Sequence, residues 1–318
     1  MKKKWIVLYF IVLFLPFVAV LILGKIGFFE EKPDPNLPKG STVTLYCTET
    51  KTTQTLPLKD YLWGVLAGEM PASYPQEALK AQVVASYSYL LHRKASIQSH
   101  PNSDFGHSGE VCDNPAHCKA YLSPAAAAEK WGIDWLESSN EVLSSAVDSV
   151  LGTAVLYEDA PANTVFHAIS GGKTESAKDI WGAEIPYLQS LDSSWDQQAK
   201  GFQTEVTLSL EEFSKILNQE NYELGAITHT SGGSVSTLQI GDQTYTGQEI
   251  RSLFGLRSTR FTLEIKKDQA VFEVFGYGHQ VGMSQHGAFI LAEEGYTYQD
   301  ILAYYYPNTT LAKYYFDE

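Results

Sequence analysis

Four places in the sequence carry side chains that could do chemistry. The first holds a single carboxylate, Glu69, in the stretch GEMPASYPQEALKAQ. A residue before proline is driven out of the α region, so a helix running into Met70-Pro71 stops there. Glu69 then stands at a helix C-terminus, where the helix dipole and nearby Leu66, Met70 and Tyr74 disfavour the charged carboxylate. A general acid working near neutral pH needs that environment, although an ordinary surface glutamate can also end a helix. The second place is HSGEVCDNPAHC, with His107, Cys112, His117 and Cys118 within twelve residues. Thiolates and imidazoles are the usual zinc ligands, and Asp-Asn-Pro would fold the loop back on a metal. A Cys112–Cys118 disulfide is the other reading, open to any chain in an oxidising compartment.

The third place is FHAISGGKTESAKDIWG, where a strand delivers His167 and breaks at Ser170-Gly171-Gly172. Paired glycines let backbone approach a ligand closely, and His167, Ser170, Lys173 and Thr174 offer hydrogen bonds. A plain strand-end loop fits the same letters. HTSGG at 229–233 repeats them among short polar segments and reads as a simple turn. The fourth place is FGYGHQVGMSQHGA, whose glycines at 276, 278, 282 and 287 are too dense for a strand or helix interior. It lacks the GK[ST] ending of a phosphate cradle. His279 and His286 are metal-ligand candidates or structural histidines, and a loop of His, Ser, Gln and backbone amides beside aromatics also suits a sugar.

Elements of several kinds must position these groups. Leu62, Val65 and Leu66 have helical spacing before Glu69, and Leu79, Val83, Leu90 and Leu91 form an apolar stripe after it. Ser73 with Gln76 fits a capping box for that second helix, with Pro75 tolerated in its first turn. An alanine-rich helix is expected from Ser123 to about Val150, and another over AFILAEEG (288–295). STVTLYCTE, TAVLYED, NTVFHAIS, FQTEVTLSL, STLQIGD, RFTLEIKKD and AVFEVFG read as strands. Strands mixed with helices, not in strict alternation, predict an α+β fold, with one large domain over 42–318.

The N-terminal residues have another character. Three lysines in 1–4 precede Trp5 to Gly24, twenty residues without a charge and enough to cross a bilayer. No small-residue cleavage site follows, so 5–24 is expected to be an uncleaved anchor with 1–4 cytoplasmic and the bulk outside. Residues 25–41, Pro-rich and polar, read as a linker. The chain carries a net charge of −14, and with +3 in residues 1–32 the remainder carries −17. Such an acidic domain speaks against nucleic acid as a partner. Three cysteines are too few for a disulfide framework.

Taken together, GVLAGEMPASYPQEALKAQVVA, VCDNPAHCKAYLS, FHAISGGKTESAKDIWGAEIPYL, RSLFGLRSTRF and GYGHQVGMSQHGAFILAEEGYTYQDILAYYYPNTT resemble the SpoIID/LytB domain family, in that family's order across 42–311. The resemblance implies a lytic transglycosylase that cleaves peptidoglycan glycan strands between MurNAc and GlcNAc once an amidase has removed their stem peptides. It gives 1,6-anhydroMurNAc ends during engulfment in sporulation. It implies Glu69 as the catalytic residue of an "EMP" motif. It also implies a substrate groove lined by His167, Ser170, Gly171, Gly172, His279, Ser284 and Gln285, to which the residue pattern adds Thr174. Some members hold zinc in the His/Cys loop, which implies a structural zinc here. Partners implied are the amidase SpoIIP and the membrane protein SpoIIM, at the mother-cell membrane facing the intermembrane space. LytB-type relatives imply the other output, a non-catalytic glycan-binding amidase enhancer. Two positions depart from the family: Tyr87 stands where an arginine is common, and His286 where tyrosine is usual. Were the reaction a hydrolysis, it would need a second carboxylate, with Glu175 and Asp196 as candidates.

Overall fold

The computed structural model describes residues 41–99 and 108–315. The expected cytoplasmic tail 1–4, the anchor 5–24, the linker up to residue 40 and His107 lie outside the described residues. Among the described residues no helix is long and apolar enough to cross a membrane. Helices and strands mix without strict alternation, as expected. Where one large domain was expected, the chain forms two compact units. Of the described residues, one draws on 41–73, 97–99, 108–152 and Tyr315, the other on Tyr74–Ser96 and Thr153–Tyr314.

The first unit opens with the hairpin β1 (Thr42–Cys47) and β2 (Thr52–Pro57), antiparallel with Thr42 opposite Pro57. Helix α1 (Leu58–Glu69) follows at once, burying Leu58, Tyr61, Leu62, Val65 and Leu66. Pro71 ends it at Met70, whose backbone is extended at φ −128° and ψ 144°. The chain then leaves for α2 (Gln76–Ser99), which starts one residue after Pro75 and is largely part of the second unit. It returns with β3 (Val111–Cys112), parallel to β1 with Tyr46 opposite Cys112. The long helix expected from Ser123 is two helices, α3 (Pro124–Trp131) and α4 (Ile133–Val150). Ser123, expected as the first residue of that helix, is the cap of α3, its hydroxyl accepting the Ala126 N–H. Gly132, at φ 95°, makes the break. Leu136, Leu143, Ala146, Val147 and Val150 bury one face of α4, which packs on α1. At the end of this unit's chain, Tyr315 lies on Gly152, where a Cβ would stand 2.4 Å from its hydroxyl.

The second unit is built around short strands. β4 (Thr153–Tyr157) lies between β5 (Ala160–Pro161) and the late β14 (Thr310–Lys313). The segment NTVFHAIS yields only β6 (Phe166–His167), followed by α5 (Ala177–Trp181). Residues 203–275 build a core of their own. β7 (Gln203–Ser209), α6 (Leu210–Leu217), β8 (Leu224–His229), β9 (Val235–Ile240), β10 (Gln243–Thr246), α7 (Gly247–Phe254), β11 (Phe261–Lys266) and β12 (Gln269–Phe275) form two three-stranded sheets and two helices. These close over Phe213, Phe254, Phe261 and Phe272. β13 (Met283–Ser284) then pairs in parallel with β6, Ser284 opposite His167. Helix α8 (Gln285–Glu293) starts a few residues earlier than expected, and α9 (Tyr298–Tyr305) precedes β14.

Candidate functional site

Glu69 is the last residue of α1 and is half-buried. Its position follows from the segment 119–122, which lies along the Gly64/Gly68 face of the helix. Leu122 N–H donates to Gly64 O at 3.0 Å, and a Cβ on Gly68 would stand 3.0 Å from the Ala120 carbonyl carbon. Without side chains at 64 and 68 the backbone comes close enough for Ala120 N–H to donate to Glu69 Oε1 at 2.8 Å. That amide fixes the plane of the carboxylate. Lys119, next in line, is buried; burial lowers its ammonium to about 8, against the pull of the Glu69 carboxylate and of Cys118. A carboxylate gripped by an amide with a buried amine beside it has the parts of a proton-transfer site. Lys119 escaped the sequence reading, its one signal being a lysine directly after a candidate metal ligand.

The His/Cys loop ends where this segment begins. Parallel pairing with β1 sets Cys112, and Asn114 folds the next residues into one turn, its carbonyl accepting His117 N–H at 3.0 Å and Cys118 N–H at 2.8 Å. The turn lets adjacent residues 117 and 118 reach one point: His117 Nδ1 is 3.3 Å from Cys112 Sγ and 3.3 Å from Cys118 Sγ. The three donor atoms lie within 4.8 Å of one another. No disulfide joins the two cysteines. Burial, then the nearness of Cys118, pushes the Cys112 thiol up to about 11 although the Asn114 amide pulls it down. Two sulfurs and an imidazole are three of the four donors that a tetrahedral zinc site takes.

In the second unit, β6 and β13 set the two glycine-rich loops side by side. Gln280 locks them. Its backbone takes the left-handed region at φ 69°, its side-chain oxygen accepts Gly171 N–H, and its amide donates to Ile169 O at 3.0 Å. This explains why the strand is short: a side chain supplies the ladder bonds of residues 169–171. His167 is buried, with Nδ1 3.1 Å from Val281 O and Nε2 without a hydrogen-bond partner among the described residues. Burial lowers it to about 4, against the attraction of Asp196 and the Val281 carbonyl, so it is neutral at pH 7.

The expected groove residues divide. Ser170, Thr174, Ser284 and Gln285 are buried and engaged within the protein. The Ser170 hydroxyl accepts Gly172 N–H at 3.2 Å, Thr174 Oγ1 donates to Gln189 O at 2.9 Å, Ser284 caps α8, and Gln285 donates to Gln82 Oε1 at 3.3 Å. Gly171 and Gly172 are buried as well, whereas His279 is half-buried and meets the ring of the exposed Trp181. Both candidate second carboxylates are buried and held. Asp196 binds Ser170 N–H at 3.0 Å, Ser193 Oγ at 2.9 Å and His286 Nδ1 at 3.0 Å. Its burial favours the neutral acid, but the hydrogen bonds from His286, Ser170 and Ser284 and the nearby His167 outweigh it and hold the carboxyl below the usual range. Glu175 accepts Thr230 Oγ1 at 2.8 Å and Ser234 N–H at 2.9 Å. The HTSGG segment is therefore no isolated turn. It packs on Glu175 and Asp179, and a Cβ on Gly232 would fall 2.4 Å from the Glu175 carboxyl carbon.

Known proteins are similar to this sequence. The pattern of the family described as stage II sporulation protein (SpoIID) matches residues 46–157. The chain is 33% identical to "Stage II sporulation protein D" of Bacillus subtilis strain 168 over 276 residues, covering 86% of this chain and 79% of that protein. It is 32% identical to the protein of that name from Bacillus amyloliquefaciens, with the same coverage. A more distant relative, "Amidase enhancer" of Bacillus subtilis strain 168, is 25% identical across 80% of this chain and 40% of that protein.

Proposed function

Because the chain belongs to the stage II sporulation protein D family, we propose that it is a peptidoglycan lytic transglycosylase acting in engulfment during sporulation, with Glu69 as acid and then base. The observation that carries the reading is the single amide-anchored carboxylate at the end of α1. Ordinary glycoside hydrolysis needs two carboxyl groups, one for the leaving oxygen and one for the nucleophile or water. In the lytic reaction the sugar's own C6 hydroxyl replaces the water. Glu69 protonates the glycosidic oxygen as the C1–O bond breaks. The resulting carboxylate takes the C6 hydroxyl proton as that oxygen closes on C1, leaving a 1,6-anhydro end. The two carboxylates that hydrolysis could recruit, Glu175 and Asp196, are both buried and held by internal hydrogen bonds, those of Glu175 through Oε1 alone.

The substrate is glycan already stripped of peptide, because stem peptides add carboxylates that a −17 domain repels. An amidase of the SpoIIP kind supplies it, and a membrane protein of the SpoIIM kind is the fitting membrane partner. An N-terminal anchor at 5–24 would place the chemistry outside the mother-cell membrane. The experiment is product analysis by mass of peptide-free glycan strands cleaved by the full chain. Anhydro ends are expected, whereas reducing muramic ends would mean hydrolysis. If no cleavage is found while the chain stimulates an amidase, it shares the output that the name of its distant relative states.

We assign the three-donor loop a structural zinc, held by Cys112, His117 and Cys118; His107, the remaining candidate of the sequence, lies outside the described residues. Bound zinc would fix the loop whose last residues deliver Lys119 and the Ala120 amide to Glu69. Protein purified without chelator is expected to hold about one equivalent of zinc. Cys112→Ser should lose it and lower the melting temperature, and a metal-free chain with both thiols titratable would reject the assignment.

The Gly68 contact gives a finer test. Gly68→Ala gains helix propensity of about 1 kcal/mol, yet its methyl presses on the Ala120 carbonyl. Cleavage is expected to fall about tenfold through a carboxylate shifted by tenths of an ångström, with melting little changed. Unchanged turnover would mean that the Ala120 amide does not position Glu69.

A further inference from the structure

The break between α3 and α4 leaves apolar side chains in water. Trp131 is 51% exposed, more than any other large apolar side chain among the described residues, and Ile133 is 42% exposed. They flank Gly132, where an added Cβ would meet nothing within 4 Å. The corner is therefore a tip, and residues 129–134 are all exposed. The half-buried Trp135 sets its ring 6.3 Å from that of Trp131, whose face Lys130 Nζ covers at 4.6 Å. A single apolar side chain in water needs no explanation, but two tryptophans and an isoleucine at one outward corner form a patch.

The chain that precedes the described residues says what covers it. Residues 5–24 carry no charge over twenty positions, and about seventeen residues (25–41) join them to β1. Such a linker reaches at most roughly 55–60 Å and spans about 20–25 Å on average. β1 and the α3–α4 corner belong to the same unit. A bilayer that holds residues 5–24 is thus always within reach of this unit, at a high effective concentration. Tryptophan is the side chain that settles at the headgroup level, and a lysine beside it extends its amine toward the phosphates. Charge does not drive the contact. Glu129, Asp134 and Glu137 are exposed around Lys130, and the domain carries −17.

We propose that the corner Trp131–Trp135 docks on the surface of the bilayer that holds the anchor, by inserting Trp131 and Ile133 at headgroup depth. The inference rests on the anchor reading of residues 5–24 and adds a second, reversible contact. Because α4 packs on α1, that contact would hold the helix that ends in Glu69 at the membrane surface.

The test places the full chain carrying Trp5→Phe, which takes the indole out of the anchor, in vesicles of phosphatidylcholine and phosphatidylglycerol. Some vesicles contain lipid brominated near the headgroup end of its acyl chains. The difference in emission between this chain and its Trp131→Phe form belongs to Trp131. Brominated lipid is expected to quench that difference about twofold, and Ile133→Ser to remove about half of the quenching with melting unchanged. Added salt should leave the quenching equal or stronger, since it screens the repulsion between an acidic domain and anionic lipid. Trp131 emission that brominated lipid does not change, in a chain that floats with the vesicles, overturns the proposal and leaves the anchor standing. If that unquenched emission shifts to the blue as protein density rises, the corner packs on a second copy, and the proposal is equally overturned. Quenching that salt abolishes means a contact made by charge and also overturns it. A chain that does not float with the vesicles overturns the anchor reading and the proposal together.

Discussion

Glu69→Gln is expected to cut glycan cleavage by about two to four orders of magnitude, the range that positioned proton transfer contributes. The substitution keeps the shape of the side chain and an oxygen for Ala120 N–H, so the helix end and the 119–122 segment should stay as they are. What it removes is the transferable proton. Single-turnover cleavage of stripped glycan, read beside a melting curve, separates the two effects. Full activity would reject Glu69 as the acid. Full amidase stimulation by Glu69→Ala, in a chain whose parent never cleaves, would move the assignment to the glycan-binding class.

Acid should weaken the second unit before ordinary carboxylates begin to titrate. His167 carries its proton at about 4 in the fold, against an ordinary 6.5. The unfolded chain therefore takes up this proton first as the pH falls. The stability that the buried neutral imidazole contributes is complete above about pH 6.5 and is lost as the pH drops through 4. The size of the loss is on the order of 3 kcal/mol. Asp196, whose carboxyl is held below its usual range, loses its own contribution as the pH falls through that lowered value. Denaturant unfolding from pH 7 to 4 at fixed ionic strength measures this. His167→Asn, whose amide can still face the Val281 carbonyl, should flatten the curve, and the same slope in both proteins would show that His167 is not the group titrating.

The parts legible in the sequence were those written in neighbouring residues. Met70-Pro71 announces the end of α1, and Ser123-Pro124 announces the start of α3. β1, β7, β11 and β12 follow runs of β-branched and aromatic residues. The catalytic candidate was found through its own motif. Contacts distant in sequence were harder to read. A glycine inside a helical pattern lowers confidence without proving a break, so Gly132 did not divide α3 from α4 beforehand. The spacing of Gly64 and Gly68 has meaning only once residues 119–122 lie against it. The strand expected from Asn163 to Ser170 shrinks because Gln280, more than a hundred residues on, satisfies its backbone with a side chain. Polar letters in a glycine-rich loop looked like ligand contacts, but Ser170, Thr174 and Ser284 spend them inside the protein.

The order in which the chain visits its two units has a cost at synthesis. The first unit begins at the hairpin β1–β2, is interrupted after Ser73, resumes at Ile97, and receives Tyr315 against Gly152 only after the whole second unit has been made. A chain emerging from the ribosome, or threading through a translocation channel, therefore cannot finish its first unit in isolation. The hydrophobic face of α1 must wait for α4, some eighty residues later, and the ring over Gly152 for about 160 more. Closure over such separations is slow, since long-range contacts form only after the entropy of the intervening loops has been overcome. The practical reading is that no single cut in the gene yields either unit alone. A fragment ending at Gly152 lacks the last ring of the first unit, and one starting at Thr153 lacks the helical turns of residues 74–96 that belong to the second.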